Sequence, residues 1–207
     1  MTIDREHSTA TEGEDLCTAC RARGWPRPPR CRPESACLFA QNPWGVHRFF
    51  RYNPLLGTRC ATAEWPQTVR RAAAACAHPY FAPELLHDPD RHVRRQAIKR
   101  AAREHIAPLR EDSDPGVRAA VARKLSGNDL IIMMGDPEVT IRRIVASRVT
   151  ASMLPLMLGD TDHHVRRVLA RRIDASWLTI LAEDPIADVR AIVAGRLQWA
   201  AQTSRLG

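Results

Sequence analysis

The residues with the clearest chemical potential are four cysteines near the start of the chain. Cys17 and Cys20 are separated by two residues, and Cys31 and Cys37 follow after gaps of ten and five residues. A Cys-x2-Cys pair places two thiolates on one metal centre, and two later cysteines can complete a four-sulfur set. Disulfides are not expected, because the start of the chain lacks an apolar leader and a reducing cytoplasm is predicted. The pattern therefore predicts a metal site.

The spacing alone leaves zinc and iron–sulfur as alternatives for this site. Structural zinc usually takes paired ligands two to four residues apart, which the last gap fits poorly. Ferredoxin-type clusters use tighter runs of cysteines than this one. The prolines between the cysteines predict an irregular loop, and the arginines there place donors near the sulfurs. Cys60 is a reserve ligand, whereas Cys76 is predicted to be a buried or half-buried packing residue.

The rest of the chain is dominated by a repeat of 24 residues. A Val-Arg or Ile-Arg pair recurs at this interval from Val69-Arg70 to Val189-Arg190. An acid stands five residues before each pair, and we number every repeat from this acid as position 0: Glu64, Asp88, Asp112, Asp136, Asp160 and Asp184. We expect the acid to cap an α-helix that begins at the next residue, where proline is frequent. Apolar residues at positions 5, 9, 10 and 13 form one helical stripe.

About ten residues of each repeat follow this helix, which is enough for one short helical turn of the 3₁₀ type. A unit that cannot bury its own apolar face must stack on its neighbours. The sequence therefore predicts an all-α solenoid of six repeats without β-strands. We expect a disordered tail over residues 1–13, a Cys-rich module over 14–62 and the repeat domain over 63–207. Aromatic residues around the module boundary should pack over the first repeat.

The basic residues of the repeats fall into two groups. The arginines at position 6 stand beside the core valine and are expected to bridge structurally to an acid or carbonyl of an adjacent repeat. Those at positions 7, 11 and 12 should align as a second group, which we call the basic band: Arg71, Arg95, Lys99, Arg100, Arg123, Lys124, Arg143, Arg148, Arg167, Arg171, Arg172 and Arg196. With a net charge of +8, the band is a candidate surface for an acidic macromolecule, nucleic acid included. The simpler interpretation is a solvated face, since no aromatic residues interleave with it to stack bases.

Taken together, a four-cysteine module followed by D-P-x-x-x-V-R units resembles the leucine-rich repeat variant family with an N-terminal iron–sulfur domain. The resemblance implies a right-handed superhelix of alternating α- and 3₁₀-helices. It also implies a 4Fe–4S cluster on Cys17, Cys20, Cys31 and Cys37, with zinc as the runner-up, and an association with nitrogen-fixing bacteria. Ser113 and Thr161 depart from the family's proline after the acid, and Glu64-Trp65 opens the first repeat.

The sequence shows no catalytic motif of the GxSxG, HExxH or glycine-rich phosphate-loop type. It therefore predicts a non-enzymatic cytoplasmic protein with no membrane partner. The leading hypothesis is a 4Fe–4S module for redox chemistry, electron transfer or sensing, fused to a solenoid that binds a protein or other acidic macromolecule. The alternative is a nucleic-acid-binding basic solenoid with a structural zinc or iron–sulfur site.

Overall fold

A computed structural model describes residues 43–53, 56, 60 and 64–203, without the side chains of Pro43 and Phe81. These residues form α- and 3₁₀-helices and include no β-strand, so the all-helical prediction is confirmed for them. The chain divides into two compact units, residues 1–106 and 107–207. The four cysteines of the predicted metal site and the predicted disordered tail lie outside the described residues.

In the first unit, a helix with buried aromatic residues covers the first repeat. The elements are α1 (Pro43–Tyr52), α2 (Gln67–Cys76), the 3₁₀-helix η1 (Pro79–His87), α3 (Arg91–Arg100) and α4 (Arg103–Ile106). Phe49 and Phe50 of α1 are buried edge to face, with ring centroids 5.4 Å apart. They share a core with Trp65 and Val69. The predicted aromatic cover of the first repeat is confirmed, although Trp44 and Tyr80 are exposed.

The second unit alternates α-helices with 3₁₀-helices, as predicted. Its elements are η2 (Ala107–Glu111), α5 (Pro115–Lys124), α6 (Asn128–Ile131), η3 (Ile132–Gly135), α7 (Val139–Arg148), η4 (Ala151–Met157), α8 (His163–Arg172), η5 (Ala175–Leu181) and α9 (Ala187–Thr203). The stripe at positions 5, 9, 10 and 13 is buried in the repeats of α5, α7 and α8: Val165, Leu169 and Ala170 of α8, and Ile173 directly after it, are all 0% exposed. The helix α5 ends just before Ser126-Gly127, and the positive φ of 61° at Gly127 explains the glycine there.

The predicted start of each long helix is wrong by two residues. The helices begin at position 3, as at Val139 and His163. The N-cap is the residue at position 2, where Asp162 accepts the backbone N–H of His164 at 2.8 Å. The acid at position 0 instead accepts the N–H of position 2, as Asp160 does from Asp162 at 2.9 Å. The proline at position 1 thus precedes the helix, as Pro137 precedes α7. Pro115, the first residue of α5, stands at position 3 of its repeat.

Across the residues with described placement, the helices are too short or too polar for any of them to cross a membrane.

Candidate interaction surfaces of the repeats

The arginine at position 6 joins one repeat to the next. Arg142 donates from Nε to Asp160 Oδ2 at 2.7 Å and from Nη2 to Asp160 Oδ1 at 3.1 Å. Its Nη1 donates to the carbonyl of Asp136, the acid of its own repeat, at 2.9 Å. Both side chains are nearly enclosed, at 13% exposure for Arg142 and 5% for Asp160. The hydrogen bond that Arg142 donates to Asp160 raises the pKa of Arg142. One guanidinium therefore joins its own repeat to the next through a bidentate ion pair.

The same pairing recurs in the other repeats. Arg118 pairs with Asp136 at 2.8 Å, Arg166 with Asp184 at 2.6 Å and, in the first unit, Arg70 with Asp88 at 2.8 Å. Each acid at position 0 pairs with the arginine 18 residues before it, in the preceding repeat. The same carboxylate also accepts a backbone N–H of its own turn, as Asp160 does from Asp162. This explains why it does not cap the helix directly. The prediction that these arginines are structural is confirmed for the four pairs.

The arginines at position 12, assigned to the basic band, also make contacts between repeats. Arg148 donates to the carbonyl of Leu125 at 3.1 Å, and Arg172 to that of Val149 at 2.8 Å. Arg196 donates to the carbonyl of Ile173 at 2.6 Å. Each carbonyl belongs to the C-cap, the residue directly after the α-helix of the preceding repeat, where acceptors lack helical donors. In the first unit, Arg100 donates to the carbonyl of Ala75, near the end of α2.

Sequence reasoning missed this capping role. The sequence did contain a signal for it. The last carbonyls of every α-helix need hydrogen-bond donors, and a basic residue recurs at position 12 in five repeats, Lys124 included. These side chains consequently have a structural task in addition to any binding role.

The exposed charge of the basic band comes mainly from positions 7 and 11. In the second unit, Arg123, Arg143 and Arg171 are exposed, and Arg167 lies 3.8 Å from the exposed Asp188. In the first unit, Arg95 and Lys99 are exposed, whereas Arg71 lies 3.8 Å from Asp90, which partly neutralises its charge. The second unit by itself thus presents four arginines at these two positions.

A surface that the sequence did not predict consists of exposed aliphatic side chains at position 20. Ile132 on η3, Leu156 on η4 and Ile180 on η5 are 61%, 70% and 57% exposed. We call these three residues the aliphatic row. Their neighbours at positions 18 and 21 are buried, as Leu154 and Met157 show. With three residues per turn, a 3₁₀-helix that buries positions 18 and 21 turns position 20 away from the core.

The signal for the aliphatic row was present in the sequence. Apolar residues occupy positions 18, 20 and 21 in these three repeats, which is more than one side of a 3₁₀-helix can bury. Ile132 also borders a cleft of about 380 Å³ whose walls include Arg110, Arg118 and Asp136.

The two cysteines within the described residues have ordinary packing environments. Cys60 is fully buried in the apolar core beneath α1. Cys76 is half-buried with its Sγ 3.5 Å from His47 Nε2, and burial raises the pKa of its thiol. Over residues 43–53, 56, 60 and 64–203, no group of three or more His, Cys, Asp or Glu side chains could hold a metal ion. The site on Cys17, Cys20, Cys31 and Cys37 stays a prediction.

The alternating helices and the arginine–aspartate pairs between repeats define an all-helical repeat protein. A solved structure described as "a leucine-rich repeat variant with a novel repetitive protein structural motif" is similar to this chain, with a TM-score of 0.77 and 31% sequence identity. The similarity covers 87% of this chain and 78% of the other. The chain belongs to the leucine-rich repeat variant family. This confirms the repeat part of the predicted resemblance, whereas its N-terminal iron–sulfur domain stays a prediction. No protein-family model and no curated protein matches the sequence.

Proposed function

We propose that this chain is a non-enzymatic 4Fe–4S protein whose repeats form a right-handed solenoid that binds a protein partner. The observation that carries the partner-binding role is the aliphatic row. Three large apolar side chains, each more than half exposed, recur at the same position of successive repeats. Exposed apolar surface of this kind is typical of interaction sites. Repeat proteins characteristically bind partners along a surface built from equivalent positions.

The aliphatic row favours a protein partner over a nucleic acid. Apolar and aromatic side chains of a partner protein would be desolvated against Ile132, Leu156 and Ile180, which is how the centre of a protein interface is built. Nucleic-acid interfaces are more polar and more positively charged than protein interfaces. In this proposal, the exposed arginines at positions 7 and 11 select an acidic partner and steer its approach.

The cluster belongs to the N-terminal module. Four thiolates form a donor set that suits a 4Fe–4S cluster, with zinc as the runner-up. Cys17, Cys20, Cys31 and Cys37 would hold it, and the arginines between them would supply positive charge and donors to the sulfurs. When bound, such a cluster supplies one-electron redox chemistry, which serves electron transfer or sensing. The proposal places the protein in a reducing cytoplasm, where thiolates stay available as ligands.

Metal analysis tests the cofactor. Anaerobically purified protein should be coloured and should contain iron and acid-labile sulfide. Cys17→Ser and Cys31→Ser should each lose most of that content, whereas Cys76→Ser, which changes a half-buried cysteine of the repeats, should retain it. A colourless protein with one zinc would contradict the iron–sulfur assignment. Unchanged metal content in both N-terminal variants would refute the site itself.

Affinity purification with matched variants tests the partner surface. A protein retained by the wild-type chain and identified by mass spectrometry should be lost with Leu156→Asp and Ile180→Asp. It should be retained, at reduced yield in high salt, with Arg143→Glu. If the partner were retained by Leu156→Asp and Ile180→Asp but lost with Arg143→Glu, the proposed surface would be contradicted.

A nucleic-acid-binding solenoid with a structural metal is the second candidate, favoured by the exposed Arg95 and Arg143 and the net charge of +8. Retention on DNA should then fall steeply with salt, and Arg95→Glu, Arg143→Glu and Arg167→Glu together should flatten that dependence. Absence of retention at low salt would remove this candidate.

A further inference from the structure

The cleft of about 380 Å³ in the second unit contains an arginine that does not belong to the repeat pattern. Arg110 lies at position 22 of its repeat. The other five repeats have apolar residues at this position: Leu86, Met134, Leu158, Ala182 and Leu206. The stacking of repeats therefore does not require a charge there, and the arginine needs another explanation.

One edge of the Arg110 guanidinium has no hydrogen-bond acceptor within the described part of the chain. Its Nη1 donates to the carbonyl of Ala107 at 3.3 Å. Its Nε is enclosed without an acceptor, and Nη2 has none within residues 64–203 either. The carboxylate of Glu111 stands 3.5 Å from Nε without forming a hydrogen bond, and its side chain is 80% exposed. An enclosed donor without an acceptor is destabilising, so this edge favours an acceptor supplied from outside.

The structural arginines show what such an edge binds. Arg142 places its Nη1 on a backbone carbonyl and gives Nε and Nη2 to the two carboxylate oxygens of Asp160. Arg110 repeats the first half of this arrangement, with Nη1 on a carbonyl and the other edge open. The group that completes it is one carboxylate whose two oxygens accept from Nε and Nη2.

The walls of the cleft supply apolar surface beside that edge. They include Ile132, Met133 and Pro137. Ile132 also belongs to the aliphatic row, so the cleft adjoins the surface proposed for the partner protein. A carboxylate bound at Arg110 therefore lies next to apolar side chains that a neighbouring residue of the same partner can cover.

The acids of the cleft limit the charge of its ligand. Asp136 is paired with Arg118 at 2.8 Å, and Asp112 accepts a backbone N–H of its own turn at 2.9 Å. Glu111 stays exposed. Their negative charges repel a multiply charged phosphate more strongly than a single carboxylate, which disfavours nucleic acid as the occupant.

We propose that this cleft binds one acidic side chain of the partner protein, next to an aliphatic side chain that packs on Ile132. The inference rests on the proposed function, because the aliphatic row brings the partner to the cleft. The open edge of Arg110 selects a carboxylate, and the apolar wall selects the residue beside it. Arg110 is thus a specificity-determining residue for an acidic–aliphatic pair.

Nuclear magnetic resonance with two matched probes tests the cleft. N-acetyl-leucyl-glutamic acid α-amide carries the proposed pair of side chains, and N-acetyl-leucyl-glutamine amide replaces the carboxylate by a neutral amide. Only the first should shift the Nε–Hε signal of Arg110 saturably in the isotope-labelled full chain. Arg110→Leu, which introduces the residue type of Leu86 and Leu158, should raise its Kd at least about tenfold, because a charge-assisted bidentate contact is lost. Arg143→Gln, which removes an exposed arginine outside the cleft, should leave the Kd unchanged.

Glu111→Gln provides a second readout that leaves Arg110 in place. It removes the competing carboxylate beside Nε, so the glutamic acid probe should bind more tightly. Equal shifts with the two probes, or unchanged or weaker binding by Glu111→Gln, would overturn the proposal. Acetate bound as tightly as the glutamic acid probe would also overturn it, because the cleft would then take a free anion.

The cleft and the aliphatic row can fail separately. If Arg110→Leu retains at full yield the partner that Leu156→Asp loses, the cleft assignment is wrong and the proposed function stands. If the probes behave as expected but Leu156→Asp still retains the partner, the proposed function is wrong and the carboxylate preference of the cleft stands.

Discussion

At the scale of single residues, position within the repeat decides what an arginine does. Arg142 and Arg143 are neighbours in α7, yet the first is enclosed against Asp160 and the second is exposed. Arg148, about one and a half turns later, donates to the carbonyl of Leu125, the residue directly after α5 in the preceding repeat. A guanidinium suits each task because its planar donors serve carboxylates and carbonyls alike. Net charge alone therefore overstates the positive surface available to a partner.

The paired aspartates predict how stability responds to acid. The hydrogen bond from Arg166 lowers the pKa of Asp184 in the folded chain, whereas an unfolded aspartate titrates near pH 3.9. The pair's contribution to stability is thus complete above about pH 4 and is lost as the pH falls through the folded pKa. Asp184→Asn should flatten the decline of the unfolding free energy below about pH 4, measured by urea denaturation. Glu183→Gln, which changes an exposed neighbour, should show the same pH dependence as the wild type. If the unfolding free energy of Asp184→Asn declined with acid as steeply as that of the wild type, the pair would not be the source of the acid sensitivity.

At the scale of elements, adjacent repeats are held by a buried apolar stripe and by one polar joint. In the repeats of α5, α7 and α8, positions 5, 9, 10 and 13 bury small and branched side chains with almost no exposure. The joint is the arginine–aspartate pair, whose acid also fixes the turn that leads into the next helix. Breaking one pair therefore affects two elements, because the aspartate stays enclosed without its counter-charge.

Arg142→Met should lower the free energy of unfolding by about 2–3 kcal/mol, since it leaves a nearly buried carboxylate unpaired while keeping the apolar stem. Arg143→Met, the neighbouring exposed change, should cost less than about 0.5 kcal/mol. Asp160→Asn added to Arg142→Met should cost less than the two single losses combined, because the pair is already broken. Equal denaturation midpoints for Arg142→Met and Arg143→Met would refute a stabilising joint.

Periodicity predicted much of this architecture and missed specific contacts for identifiable reasons. The repeat, its apolar positions and the 3₁₀-helices follow from local spacing, which the sequence displays directly. The cap was misplaced because Asp160 could serve either its own helix or the preceding arginine, and only packing between repeats selects the second. The role of Arg172 and the exposure of Leu156 likewise depend on how one repeat sits on another. The predicted metal ligands lie outside the described residues.

At the scale of the whole molecule, the chain combines repeats that carry their own core with cysteines that precede them. The core around Phe49 and Val69 and the stripes of the second unit consist of apolar side chains. No group of potential metal ligands occurs within the described ranges 43–53 and 64–203. Stability of the helices and occupancy of the metal site should therefore be separable properties.

Metal removal provides the corresponding prediction. Treating the purified protein with a strong chelator in air should abolish its visible absorbance while the far-ultraviolet circular dichroism keeps its helical signal. The thermal midpoint of that helical signal should move by only a few degrees, because apolar burial between repeats does not depend on a cluster. Cys17→Ser should reproduce the treated state without chelator, whereas Leu154→Ala, which empties part of the repeat core, should lower the midpoint with metal content unchanged. Collapse of the helical signal in step with metal loss would show that the repeats depend on the cluster for their fold.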